Sequence, residues 1–323
     1  MLIPTRNLTK DIKNFLSPQD ESCEEKTTAK DKRTSFTFLR TSLPENQRTN
    51  NFIPKKEPYY FYYIADDIAD DIREKKPVLL TGHSGYGKSS LIVQMAACTK
   101  NGLFRVNLNG QATISDFVGS WIVKNGETIW VDGFLPKAMK DGYWLLCDEI
   151  DFAEPAILSC LNGILEPNGK LILKEKGFEI VEPHEDFRIF GTGNSIGKMS
   201  EHRVMYQGTC CMNAAFIDRW RVYEIKDPPK DVELQIIKLH CPKFTDNLLE
   251  RSYMVATRIR EAFKKEEISE TLSTRRLIEW CTLMMRYRDP VKAAETTIFN
   301  KMPFEDSEVI RKTINKIMLG KDQ

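Results

Sequence analysis

Isoleucines recur every fourth position in "YYIADDIADDIREKK", at Ile64, Ile68 and Ile72, with small and acidic residues between them. On a cylinder of about 3.6 residues per turn that spacing lines up one apolar stripe and predicts an amphipathic helix. The period then changes. The short apolar runs "VLLTG", "LFRVNLN", "YWLLCDE", "FRIFGTGN" and "WRVYEI" read as strands, and most are followed by a loop and then helix-like sequence. Strands alternating with helices predict an α/β fold with a parallel sheet covered on both faces. Two segments interrupt the alternation. "VGSWIVKNGETIWVDG" is β-rich on either side of Asn125-Gly126, a two-residue hairpin signal, and "GKLILKEKGFEIVE" is expected to turn at Lys176-Gly177. From Lys230 onward the strand signals stop, and "DVELQIIKLH", "LLERSYMVATRIREAF", "STRRLIEWCTLMMRYR" and "SEVIRKTINKIM" predict helices. Two prolines at Asp227-Pro228-Pro229 mark the change, so we expect an α/β unit over 51–227 and a helical unit over 228–323.

The first fifty residues follow neither period. In "DESCEEKTTAKDKRTS" the apolar surface is too sparse to offset the entropy of ordering, which predicts a flexible polar arm over 1–50, with at most a short helix around Asp11 to Phe15. The rest has the composition of a globular protein, with 41% hydrophobic residues in a chain of 323. A formal net charge of +1, from 47 basic and 46 acidic residues, provides no global field for nucleic acid or an anionic membrane. The densest basic run, "RIREAFKK" from Arg258 to Lys265, reads as a solvated helix face. Eight cysteines without any CxxC spacing predict reduced thiols and a cytoplasmic protein rather than a zinc or redox pair. No apolar run approaches the roughly 20 residues of a membrane span, so no membrane partner is expected.

Chemistry enters at "GHSGYGKSS", which fits G-x-x-x-x-G-K-[ST] between a strand and a helix. In that setting backbone N–H groups and a helix N-terminus cradle phosphates, a role expected of the stretch Gly82, Ser84, Gly85, Tyr86, Gly87, Lys88, Ser89 and Ser90. Lys88 is expected to reach the β- and γ-phosphates and Ser89 to ligate Mg²⁺, whereas the side chains of His83 and Tyr86 fill variable positions with no assigned chemistry. Splitting the phosphate needs a carboxylate for the metal and a base for water. Asp148 and Glu149, at the end of "YWLLCDE", are the candidates for those roles. Asn194 after "FRIFGTGN" could orient the water, and Arg219 or Arg275 could meet charge developing on the γ-phosphate, with Arg221 and Arg276 as the neighbours to be told apart from them.

The series GHSGYGKS, LLCDE, GTGN, DRW and STR, followed by an all-helical segment, resembles an AAA+ ATPase. The two hairpins resemble the helix-2 and pre-sensor-1 insertions of the MoxR and chelatase branch. Between about Asn51 and Lys321 the chain is similar to the small ATPase subunit family of aerobic cobaltochelatase, in segments such as "RVNLNGQATISDFVGSWIVKNG" and "CDEIDFAEPAILSCLNGILEPNGKLIL". The resemblance implies a five-stranded parallel sheet with a helical lid and an ATP site at a subunit boundary. It also implies a closed homo-oligomeric ring, commonly a hexamer. Lys88 and Ser89 match the Walker A positions, Asp148 and Glu149 the Walker B pair, Asn194 sensor 1 and Arg275 sensor 2. Arg219 matches the arginine finger that acts on the neighbouring subunit's nucleotide, and Asn107 or Asn109 matches the position that gates Glu149. Relatives with this core work with a partner carrying a von Willebrand A domain and act on clients by metal insertion or enzyme activation. The arm before Asn51 departs from the chelatase pattern. Two other readings stay open: the cobaltochelatase subunit itself, and a nucleic-acid-associated NTPase motor.

Overall fold

The computed structural model describes residues 52–61, 64–108, 112–194 and 212–320. The expectations for residues 1–50, for Asn109 and for Cys210-Cys211 lie outside them.

The isoleucine stripe forms helix α1 (Ile64–Arg73), with Ile64, Ile68 and Ile72 buried. It leads into β1 (Val78–Thr81), the phosphate-loop candidate and α2 (Lys88–Thr99). The remaining sheet strands are β2 (Leu103–Asn107), β5 (Trp144–Asp148), β8 (Arg188–Gly193) and β9 (Arg221–Glu224). Together they form one five-stranded sheet in the order β2-β5-β8-β1-β9, and every pairing in it is parallel. Because successive side chains of a strand point to opposite faces, one run feeds two cores. Leu79, Leu145, Cys147 and Ile189 enter one cluster, and Val78, Leu80, Trp144, Leu146 and Phe190 enter the other. This explains why β1 and β5 are buried at every position and carry no polar alternation.

Helix α3 (Ile114–Val118) precedes the hairpin β3 (Gly119–Lys124) and β4 (Glu127–Asp132); α4 (Phe134–Asp141) follows it. Asn125 and Gly126 both have positive φ, 53° and 84°, as a two-residue turn matched to strand twist requires. Trp121 and Trp130 face each other across the hairpin with ring centroids 5.5 Å apart, so the two indoles are a cross-strand pair. After β5 comes α5 (Pro155–Leu165), then the short hairpin β6 (Leu171–Leu173) and β7 (Glu179–Val181). Its reversal is not the two-residue turn expected at Lys176-Gly177. A 3-10 turn over Lys174–Lys176 is followed by Gly177 and Phe178, both left-handed, which spreads the reversal over five residues.

Past the short α6 (Ala214–Ile217) and β9 the chain is helical: α7 (Lys230–His240), α8 (Asp246–Lys264), α9 (Thr274–Tyr287), α10 (Pro290–Thr297) and α11 (Phe304–Ile314). Their apolar faces close on a third core around Trp280, Ile259 and Ile298. Helix α10 was not expected; its eight residues show little apolar period, and Asp289 caps it by accepting the N–H groups of Val291 and Lys292.

Candidate active site

The carboxyl ends of β1, β5 and β8 lie side by side, and the site is assembled there. The loop after β1 makes its turn with Gly82, Gly85 and Gly87, all at positive φ. At Gly85 the lid leaves no room for a side chain: an added Cβ would collide with Ser273 Oγ, and Arg275 N–H donates to Gly85 O at 3.2 Å. His83 and Tyr86 tie the same loop to the lid. His83 packs edge-on against Phe263 at 5.7 Å, and the Tyr86 hydroxyl is bonded to Asp227 at the boundary and to Thr271 of the lid. Burial first, and the Asp227 carboxylate second, push that hydroxyl well above its ordinary pKa. Two residues without assigned chemistry thus connect the loop to the lid.

Lys88 is buried, and its ammonium donates to Gly82 O at 2.6 Å, His83 O at 3.0 Å and Asn194 Oδ1 at 2.9 Å. Burial lowers its pKa to about 8, although Asp151 and Asp148 pull it back up. Ser89 Oγ–H donates to Asp148 Oδ1 at 2.6 Å. The buried Thr192 hydroxyl donates to the same oxygen, and Arg105 grips Oδ2, its Nε at 2.8 Å. Burial would raise the Asp148 pKa, but the hydrogen bonds from Ser89, Thr192 and Arg105 outweigh it and hold the carboxyl below its ordinary value. Glu149 follows in the left-handed region, φ 57° and ψ 44°, with its N–H on Thr192 Oγ1 at 3.3 Å. Such backbone costs about 1–3 kcal/mol and collects at functional sites. Asp151, fully buried, accepts Asn194 N–H at 2.8 Å and so joins the turn after β5 to the end of β8.

Beside this cluster a cleft of about 360 Å³ opens between loop, lid and the segment before α1. Gly85, Tyr86, Gly87, Ser90 and Arg275 line it on the loop and lid sides. Tyr59, Tyr60, His240 and Ile278 supply an apolar and aromatic wall. The segment is held down by Gln94, whose Oε1 accepts Glu57 N–H at 2.9 Å. Arg276 is absent from the wall; it binds Glu270 at 2.9 Å, which separates it from Arg275. Arg219 is not brought to the cluster. It lines a different cavity of about 790 Å³, and its guanidinium binds Glu166, Nε to Oε1 at 2.7 Å, and Ala215 O. Arg221 sits 3.7 Å from Asp71, on the far edge strand.

A divalent cation fits the donor set. Ser89 and Asp148 meet, and among the described residues no group of three or more His, Cys, Asp or Glu forms a metal cage of its own. One hydroxyl and one carboxylate, with the remainder of the shell from water and phosphate, is how Mg²⁺ is usually held. The basic run Arg258 to Lys265 is not the uniformly solvated face that was expected. Arg258 pairs with Glu261 and Lys264 with Asp227, whereas Arg260 is buried and bidentate to Glu233 at 2.6 and 2.7 Å.

Comparison with known proteins gives this geometry a family. Residues 77–219 match the AAA domain of the dynein-related subfamily, and residues 233–319 match the CbbQ/NirQ/NorQ C-terminal domain. The chain is an AAA+ ATPase. It is similar to the aerobic cobaltochelatase subunit CobS of a Sinorhizobium species, 29% identical over 80% of this chain and 81% of that one. Midasin of Dictyostelium discoideum shares 29% identity over 53% of this ATPase, which spans only 3% of midasin. An uncharacterised protein of Staphylococcus aureus shares 28% over 71% of this chain and 86% of its own. No helix among the described residues of this AAA+ ATPase is long and apolar enough to cross a membrane.

Arg105, Thr192, Asp151 and the aromatic segment at Tyr59 and Tyr60 were missed from sequence. Asp151 carried a signal, since it stands three residues after Asp148 in "DEID". Arg105 carried none, being one arginine within a strand pattern.

Proposed function

We propose that this ATPase works as a homo-oligomeric ring, hexameric in its working form, that uses ATP hydrolysis to remodel or activate a partner protein or to drive metal insertion through it. The nucleotide occupies the cleft beside Lys88, its base against the aromatic wall. Its triphosphate lies on the N–H groups of Gly85 to Ser90, with Lys88 at the β- and γ-phosphates. Ser89 and Asp148 hold Mg²⁺, which when bound would neutralise charge on the phosphate oxygens. Glu149 takes the proton of the attacking water and Asn194 orients that water. Arg275 faces the phosphates from the lid of the same subunit, and Arg219 reaches the nucleotide of the next.

The observation that carries this reading is the convergence on one strand-end cluster of Lys88 with Asn194 at 2.9 Å and Ser89 with Asp148 at 2.6 Å. The finding that Arg219 lies away from its own chain's cluster supports its action in trans. A partner with a von Willebrand A domain is proposed from the likeness to chelatase and MoxR ATPases. The cobaltochelatase subunit itself is the narrower alternative. The test is Glu149→Gln retrieved from its native cells with ATP. We expect a trapped ring carrying one protein partner; a nucleotide-bound monomer with no companion would refute the ring and partner assignments.

A further inference from the structure

The Asp148 carboxylate accepts four hydrogen bonds from three side chains. Oδ1 accepts Ser89 Oγ–H at 2.6 Å and the Thr192 hydroxyl; Oδ2 accepts Arg105 Nε–H at 2.8 Å and Arg105 Nη2–H. The three partners are not equivalent. Thr192 is buried and its oxygen also accepts Glu149 N–H, so it is fixed from two sides. Ser89 can keep its proton on Oδ1 while its oxygen lone pairs face a cation. Arg105 is the charged partner, with a side chain 55% exposed against 8% for Asp148.

Its placement follows from the sheet. Strand β2 is an edge strand paired with β5 alone, in a register that sets Asn107 opposite Asp148. Arg105 therefore starts two residues behind the carboxylate and reaches forward along the edge to it. There it also lines the cleft shared with Gly87, Ser90 and Arg275. Both of its N–H groups converge on the single oxygen Oδ2, and a planar guanidinium holds that oxygen between two donors of fixed geometry, where an ammonium of similar reach offers one mobile point of charge.

We infer that Arg105 is a positioning residue for the metal-bearing nucleotide: its fork clamps Oδ2 of Asp148, so that Oδ1 stays on the Ser89 hydroxyl and the Ser89 oxygen stays turned toward the cation that arrives with the triphosphate. The inference rests on the site reading above and adds to it a residue from outside the motifs that define the site. Toward the cation, Arg105 acts through Asp148. Its loss leaves the phosphate loop and Lys88 untouched but frees the carboxylate to rotate. Partners of this kind typically change metal affinity by about 10–100-fold.

The experiment is a binding titration of the full chain with a fluorescent ADP analogue, in Mg²⁺ and again in EDTA, for wild type, Arg105→Gln and Arg105→Lys. Arg105→Gln is expected to lose about tenfold more affinity in Mg²⁺ than it loses in EDTA. Arg105→Lys, which keeps the charge and lacks the fork, is expected to fall with it. An undiminished Mg²⁺ gain in Arg105→Gln would overturn the inference. So would full rescue by lysine, or an equal loss in EDTA, which would mean a damaged pocket. A wild-type chain that binds no analogue in either buffer would sink the site reading itself, and the inference with it.

Discussion

Lys88 Nζ donates a 2.9 Å hydrogen bond to Asn194 Oδ1, joining the first residue of α2 to the residue just past β8, 106 positions on. In the proposed site the ammonium serves binding and the amide serves the water, so their losses should differ. Lys88→Ala is expected to abolish nucleotide binding by calorimetry. Asn194→Ala is expected to bind within a few-fold of wild type and to lose about 10²-fold in kcat, the usual cost of one preorganised polar group at a reacting centre. Equal effects of the two substitutions on binding would contradict the division of roles.

Glu149 is poised by a left-handed backbone and by its N–H on Thr192 at 3.3 Å, and neither feature depends on its side chain. Glu149→Gln should therefore fold and bind ATP normally. Removal of a general base costs about 10²–10⁴-fold, so phosphate release should fall into that range. Turnover near wild type would move the base to another residue.

Arg219 is held in its own chain by Glu166 at 2.7 Å and by Ala215 O, so reaching a neighbour's phosphate requires exchanging those partners. Arginine fingers are worth about 10³-fold or more in turnover. Arg219→Ala is expected to bind ATP and to lose hydrolysis on that scale. Mixing it with a Lys88→Ala chain should restore part of the activity, because some interfaces then pair an intact loop with an intact arginine. No recovery in a mixed ring would argue against action in trans.

Gly85 and Gly126 both have φ above +80°, but they differ in what surrounds them. A Cβ at Gly85 meets Ser273, whereas at Gly126 it meets nothing within 4 Å. Alanine at Gly126 should cost only the backbone preference, about 1–2 kcal/mol. At Gly85 it should also displace the lid and weaken nucleotide binding. Thermal melts paired with nucleotide titration distinguish the two, and parallel behaviour of both variants would mean that the lid contact is immaterial.

Much of this was legible because the chemistry is concentrated in short motifs at strand ends. Asp148, Glu149 and Asn194 follow apolar runs that announce their strands, and the runs are continuous because both sheet faces are covered. What stayed hidden depends on register and tertiary burial. Arg105 reaches Asp148 only because β2 pairs with β5 in one register, and a slip of one residue would turn it to the other face. Asp151 and Arg260 look like surface charges in a linear reading, yet both are buried. Tyr86 fills a variable position of the loop motif, and only the packing of the lid makes it a contact.

Arg260 yields a stability prediction on the lid. Its guanidinium donates to both oxygens of Glu233, at 2.6 and 2.7 Å, and to Leu272 O at 2.9 Å, and Asp227 lies 3.1 Å from Nε. The two paired side chains are 6% and 0% exposed. Burial would lower the pKa of the arginine, but hydrogen bonds to Glu233 and charge from it outweigh burial and raise it above its ordinary value. Removing one member of such a pair costs about 3–5 kcal/mol, because the other remains buried and uncompensated, whereas replacing both with apolar groups is often neutral. Arg260→Leu is therefore expected to lower the urea midpoint of the lid sharply, and Arg260→Leu with Glu233→Leu to recover most of the loss. Because Asp227 also holds the Tyr86 hydroxyl, the single variant should weaken nucleotide binding as well. A single variant as stable as wild type would mean that water reaches Glu233 and the pair is not sealed.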